Sequence, residues 1–475
     1  MIIEIVGSRI LAPYFGVTII SWTVLIGVIL SFLSLGYFIG GRLADYKSKP
    51  EILANIILLS ALTVFIIIPI NIPFLNLLTI KINHNNLSVI LASLFLFGAP
   101  SFLLGMITPY ATKLRIVTLK SSGKIVGNLY AVSTVGSIVG TFAAGFFLIP
   151  NLGITNILNL IVIILIIASF LVQLPKLFSK KMSLIILFIV ACVALYFYQH
   201  KGYSGLVDVD TLYNRVWIYT EVDHSTKRLV RYLKTGPFGL QGGMFLDKDN
   251  DLVFKYQKYY RLGDFFNPNI KNALGIGGGT YSYPKDFLKN HSKAKLDVVE
   301  IDPGITELAR KYFNLENDVR LTNIVEDGRI YLNNNQKQYD AIYIDAFNTN
   351  IIPYQLTTRE AVQKIYNSLT SNGVVIVNII SAIEGDKSKL LRSEFKTYQT
   401  VFSVVYLFQV DNKSPNAVQN IILIGLKNNR KINLESGNAE FNGYLKTIVR
   451  KKIAVDLPIL SDNYAPVDYY TTISF

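Results

Sequence analysis

The chain is poor in the residues that build cross-links and metal centres. Among 475 residues there is one cysteine, Cys192, and four histidines, His84, His200, His224 and His291. One cysteine excludes a disulfide framework or a thiolate metal site within the chain. The histidines have no ligand spacing, which argues against a metal enzyme built on His and Cys. Charge is scarce as well: 16% of residues are Asp, Glu, Lys or Arg, where a soluble domain carries about 25%. The net charge of +14 is spread thinly. It lacks the basic groove with interleaved aromatics that single-stranded nucleic acid requires, so no nucleic-acid partner is expected.

What is present is apolar, and unevenly placed. Hydrophobic residues make up 51% of the chain. Residues 1–200 hold long apolar runs, and residues 201–475 read as an ordinary soluble sequence. Six segments approach the length needed to cross a bilayer core of about 30 Å: 20–41, 51–72, 87–108, 125–149, 154–175 and 182–199. Met1 to Val6 resembles the tail of a further apolar segment. These runs predict a multi-pass protein of the cell membrane with lipid as a partner. Gly36 and Gly40, and again Gly136 and Gly140, stand at the spacing that lets helices approach closely. No acid or base sits in the middle of a span, which argues against an ion-driven transporter. Arg42, Lys47, Lys49, Lys113, Arg115, Lys120, Lys124, Lys176, Lys180 and Lys181 fall in alternate loops, which the positive-inside rule assigns to the cytoplasm. If 182–199 spans, the soluble half emerges on the other side.

The soluble half starts with short alternating strands: 211–220, 228–233 and further strands within 244–254. From Asn272 strands and helices alternate. Strands are expected at 273–276, 296–301, 319–324, 339–344 and 373–379, and helices at 283–290, 306–313 and 359–369. This alternation implies a doubly wound parallel sheet. The fold class expected is an α-helical multi-pass membrane domain followed by an α/β Rossmann-like domain of the class I methyltransferase type, with a small N-terminal β region. The expected boundaries are 1–200, 201–265 and 266–475.

Ligands of such sheets bind at the carboxyl ends of the strands, near the topological switch. Three features fall there. Gly275-Ile276-Gly277-Gly278-Gly279-Thr280 lies between a strand and a helix, where glycines let backbone approach a ligand. Glu300 ends the next strand, 21 residues past Gly279, where an acid accepts ribose hydroxyls. Asp327, in Glu326-Asp327-Gly328, and Asp345 end two further strands. Each can bind an adenine amino group or an ammonium, act as a base on an amine, or simply cap a helix.

At these residues the sequence resembles the spermidine synthases, and more closely the membrane-fused spermidine-synthase-like proteins with transporter-like N-terminal helices. The resemblance runs through Glu4–Gly16, Leu35–Asp45, Leu104–Leu114 and Gly127–Gly140. In the soluble half it covers Gly275–Pro284, Asp297–Pro303, Glu326–Arg329, Asp345–Thr358 and Asp462–Asp468. It implies a polyamine aminopropyltransferase. Decarboxylated S-adenosylmethionine (or S-adenosylmethionine) serves as co-substrate, a diamine such as putrescine as acceptor, and no metal takes part. It implies that Asp345 is the base or amine orienter, that Glu300 holds the ribose and that Asp327 holds the adenine amino group. The same resemblance assigns Gln241 and the loop Gly275, Gly277, Gly278 and Gly279 to the nucleoside, and Tyr256 and Asn348 to the amine. A homo-oligomer is compatible with it.

Two positions depart from the family pattern. The glycine loop has Thr280 where the family carries an acid, and Asn348 replaces the second acid of the motif that Asp345 begins. Each missing carboxylate removes a charge-assisted contact worth roughly 1.5–3 kcal/mol. Two other readings follow: a transferase using an S-adenosylmethionine-type donor on another substrate, and a transport protein that senses a nucleoside or polyamine without turnover.

Overall fold

The computed structural model describes the chain except residues 17, 83–84, 117–121, 174–205, 237–238, 248–250, 347–351, 412, 430–431 and 475. The expected span 182–199, Cys192 and Asn348 therefore lie outside the described residues. The chain divides into two compact units, Met1–Asp210 and Thr211–Phe475.

The first unit contains the helices α1 (Ile2–Phe15), α2 (Ile19–Tyr46), α3 (Pro50–Lys81), α4 (Asn85–Arg115), α5 (Ser122–Ala143) and α6 (Ile154–Gln173). A π-helical turn, Ala144–Leu148, continues α5. Five of these helices, α2 to α6, are long and apolar enough to cross a membrane. The closest approach is between α2 and α4. A Cβ at Gly36 would stand 2.2 Å from the Phe102 carbonyl oxygen, and one at Gly105 2.5 Å from that of Leu33. Backbone therefore touches backbone, which any side chain there would prevent. Gly40 has the same role against Met106. The second glycine pair differs from expectation: Gly140 meets Ile2, but Gly136 has no described atom within 4 Å of its missing Cβ. No residue of α5 is buried, and of this glycine pair only Gly140 stands against another helix, at Ile2 of α1. A strand, β1 (Val207–Asp210), ends the unit.

The second unit opens with a small antiparallel sheet containing β2 (Arg215–Val222), β3 (Leu229–Lys234) and β4 (Leu240–Phe245). Strands expected within 244–254 give way to β4 and then to a helix starting at Lys255. Glycines let β4 come close to the next domain element: a Cβ at Gly242 would collide with the Thr280 side chain.

The main sheet holds β5 (Asn272–Ile276), β6 (Lys295–Glu300), β7 (Leu321–Val325), β8 (Tyr339–Ile344), β9 (Leu369–Ser381), β10 (Val404–Gln409) and β11 (Gln419–Leu426). Their order is β10-β11-β9-β8-β5-β6-β7. The five strands β5 to β9 pair in parallel. The strands β10 and β11 at one end of the sheet, which the sequence reading did not place, run antiparallel. Helices cover both faces. Leu274, Ile276, Ile342, Ile344, Val375 and Val377 point into one core, and Ala273, Ala341, Tyr343, Val374 and Ile376 into the other. Burial on both faces explains why these strands read as unbroken apolar runs. The strand order reverses between β5 and β8, the switch at which sheets of this kind bind their ligands.

Candidate active site

The glycine loop leaves β5 at the switch. Gly277 has φ +98°, and a Cβ there would lie 2.2 Å from the Asp345 carbonyl oxygen. Only glycine meets both demands. The Asp345 N–H donates to the Ile276 carbonyl at 2.9 Å, so the loops after β5 and β8 are held against each other. Gly279 also has positive φ, +51°, and lies beside the Gln241 carbonyl. Gly275 stays within β5, in ordinary contact with Val298.

Glu300 ends β6 and grips the loop. Its Oε2 accepts from the Gly278 N–H at 2.7 Å and its Oε1 from the Asp302 N–H at 3.0 Å. Burial raises its pKa above the ordinary carboxylate range, against those backbone donors. Asp302 caps the next helix, Pro303–Tyr312, by accepting from the Gly304 N–H. It also accepts from Thr211 and from the Asn214 amide.

Asp327 caps the helix Gly328–Asn334. Its Oδ1 accepts from the N–H groups of Arg329 at 2.8 Å and Ile330 at 3.1 Å. The other oxygen lies 3.5 Å from the Gln355 amide. The capping alternative thus describes one oxygen of this acid, and the second faces the Gln355 amide. Gly328 lets the helix press on Ile276, where a Cβ would stand 2.6 Å from Cγ2.

Asp345 lies at the end of β8 in a tyrosine cage. Its Oδ2 accepts from the Tyr256 hydroxyl at 3.1 Å and its Oδ1 from the Asn378 amide at 3.2 Å. Tyr260 packs edge-on to Tyr256 at 5.8 Å and to Tyr283 at 4.9 Å. Burial raises the Asp345 pKa, opposed by Asn378, Tyr256 and Tyr260. Burial also keeps both tyrosines protonated, with pKa values far above the usual range. A carboxyl of this kind suits proton transfer with an amine.

Thr280, which stands where the family loop carries an acid, does not replace that acid. It is buried, shares a hydrogen bond with Ser282 and faces Gly242. The next residue, Tyr281, has φ +55°. Its buried ring lies under Gly278 and its hydroxyl bonds Thr306.

The structure therefore gathers Gly277, Gly278, Gly279, Glu300, Gln241, Asp345 and Tyr256 around the switch, with Asp327 on the flank. The sequence reading overlooked Asn378, Asn420, Tyr260 and Gln257. Asn378 had a signal: it is the one polar residue in the run Val374 to Ile380.

A doubly wound sheet with a bare glycine loop and a half-buried carboxyl at its switch defines the class, a Rossmann-like α/β domain. Comparison with known proteins is narrower. The spermine/spermidine synthase domain matches residues 255–435. The polyamine aminopropyltransferase of Vibrio vulnificus is 28% identical over 253 residues, which are 52% of this chain and 82% of the relative. That of Alkaliphilus metalliredigens is 30% identical over 197 residues, 39% of this chain and 68% of the relative. A probable enzyme of the same kind from Bifidobacterium longum is 30% identical over 180 residues, with only 38% of either chain covered. A probable spermidine synthase from Corynebacterium glutamicum superimposes with TM-score 0.42 at 20% identity, over 51% of this chain and 86% of that one. The chain belongs to the polyamine aminopropyltransferase (spermine/spermidine synthase) family.

Proposed function

We propose that the second unit transfers an aminopropyl group from decarboxylated S-adenosylmethionine to a diamine such as putrescine, and that the apolar helices hold it at the cell membrane. The observation that carries the reading is the Asp345 carboxyl, half-buried beside tyrosines with its backbone against the glycine loop. The nucleoside lies over Gly277, Gly278 and Gly279. Glu300 takes the ribose hydroxyls, Asp327 the adenine amino group through its second oxygen, and Gln241 flanks the loop. Tyr256, bonded to Asp345, lines the amine side. The amine nitrogen attacks the aminopropyl carbon next to the sulfonium. A C–N bond forms, the C–S bond breaks, and the electron pair stays on sulfur in neutral methylthioadenosine. Asp345 orients the amine and takes its proton. The partners on this reading are a small polyamine and lipid, with no nucleic acid.

One observation favours a second reading, a transferase using S-adenosylmethionine itself on another substrate. Thr280 leaves the loop without an acid to grip a donor ammonium. The test is full-length protein in detergent with decarboxylated S-adenosylmethionine and putrescine, read by mass spectrometry. Equal amounts of spermidine and methylthioadenosine are expected. Absence of methylthioadenosine with every diamine tried overturns the first reading, and methyl transfer from S-adenosylmethionine establishes the second.

A further inference from the structure

Asn378 sits inside β9 with 2% of its surface exposed. A buried amide is costly unless both of its ends are bonded. Its Oδ1 accepts from the Asn420 Nδ2 at 3.0 Å, and its own Nδ2 donates to Asp345 Oδ1 at 3.2 Å. Asn420 is on β11 opposite Ile380, two residues along from the partner of Asn378, Ile422. The two amides therefore meet diagonally on one face of the sheet. On the far side of the carboxyl, Gln257 Nε2 donates to the Tyr256 oxygen at 3.4 Å, and Tyr256 donates to Asp345 Oδ2. Donors thus run inward from both sides, Asn420 to Asn378 to Asp345 and Gln257 to Tyr256 to Asp345.

We propose that Asn420 is a positioning residue that locks the polarity of Asn378, so that Asp345 meets an N–H and serves as a proton acceptor. This rests on the aminopropyl-transfer reading. An amide has one acceptor end and one donor end. With the Asn420 N–H on its oxygen, Asn378 can present only its NH2 to the carboxyl. Without that lock the amide is free to turn. Its carbonyl would then face Asp345, and the favourable partner for a carbonyl is a protonated carboxyl, which cannot accept a proton from an amine. The lock matters because burial already favours the neutral acid. Among the described residues, the titratable groups acting on Asp345 are the hydroxyls of Tyr256 and Tyr260, both from the segment 255–260, and neither is a cation. Among those residues the donors that favour the ionised carboxylate are neutral.

The test is Asn420→Leu in the full chain, with Asn420→Gln as the conservative variant and Asn420→Ser as the milder deletion if Leu prevents folding. One neutral hydrogen bond corresponds to about one pH unit. The acidic limb of kcat/KM should move up by about that much in Asn420→Leu, a tenfold loss below the limb, with the alkaline plateau kept. Asn420→Gln should restore the limb. In parallel, the Asp345 carboxyl is titrated by difference infrared spectroscopy, its band identified by loss in Asp345→Asn. That band should titrate higher in Asn420→Leu whether or not the protein turns over the diamine. A shifted band without turnover would keep the lock and sink the transfer reading. A lowered plateau with limb and band unmoved overturns the lock, since Asn420 would then be merely structural.

Discussion

The strands on either side of β5 hold a carboxylate at their tips in different ways. On the glycine-loop side, Glu300 is gripped by the peptide N–H groups of Gly278 and Asp302, donors that cannot rotate away. On the other side, Asp345 is held by the side chains of Tyr256 and Asn378, each oriented by a further amide. Burial raises both pKa values. A grip made of backbone suits recognition of a constant group such as a ribose. A grip made of side chains can shift as a proton comes and goes, which suits chemistry. The contrast implies that damage to one side should alter binding and damage to the other should alter turnover.

The largest effect is expected from Asp345→Asn. It should lower kcat by about 10²–10⁴-fold, the usual worth of a positioned acid or base, while nucleoside affinity measured by calorimetry stays near wild type. Equal losses in both would erase the contrast. In the wild type the acidic limb of the rate should lie above the ordinary carboxylate range, because burial raises the Asp345 pKa and the base must be ionised.

Gly277→Ala should harm both sides, since this residue joins them. Positive φ and a Cβ 2.2 Å from the Asp345 carbonyl oxygen would cost about 1–3 kcal/mol for the backbone alone. Thermal denaturation should show the loss, together with weaker donor binding and slower turnover. Glu300→Gln should weaken nucleoside binding by about ten- to a hundredfold, corresponding to the 1.5–3 kcal/mol of a charged hydrogen bond, with kcat at saturation largely kept.

The smallest effect on binding and turnover is expected from Glu394→Gln, away from the site on the helix Lys389–Gln399, which tests whether stability can be separated from both. Glu394 is buried with no hydrogen-bond partner for either oxygen among the described residues, and burial pushes its pKa to about 8. An acid with a raised folded pKa binds more protons folded than unfolded. Its stability is therefore present at low pH and is lost as pH climbs from the ordinary carboxylate range toward about 8, by up to about 1.4 kcal/mol per pH unit. Glu394→Gln should flatten that loss in denaturant titrations at pH 5 and pH 8 and leave turnover unchanged. An unaltered pH dependence would assign the loss to another group.

Much of this was legible along the chain because it rests on local chemistry. The strand Tyr339–Ile344 falls where its apolar run lies, and Gly277, Glu300 and Asp345 were readable from glycine and acids at strand ends. The strands β10 and β11 were not placed, because an apolar run marks a strand without saying that it turns back antiparallel against β9. Gly136 misled because spacing alone does not say whether another helix is present to meet it. Asp327 was readable as a cap or a ligand, and the structure gives one oxygen to the cap.

The sequence by itself determined the apolar helices, the run of parallel strands and the acids at their tips, since hydropathy period and turn chemistry act over a few residues. Only the tertiary structure decided which donors reach those acids. Tyr256, Asn378 and Asn420 stand 89, 33 and 75 positions from Asp345, and only a sheet wound back on itself brings them to one carboxyl. The direction of each hydrogen bond, which decides whether that carboxyl gives or takes a proton, is a property of that meeting and of no residue alone.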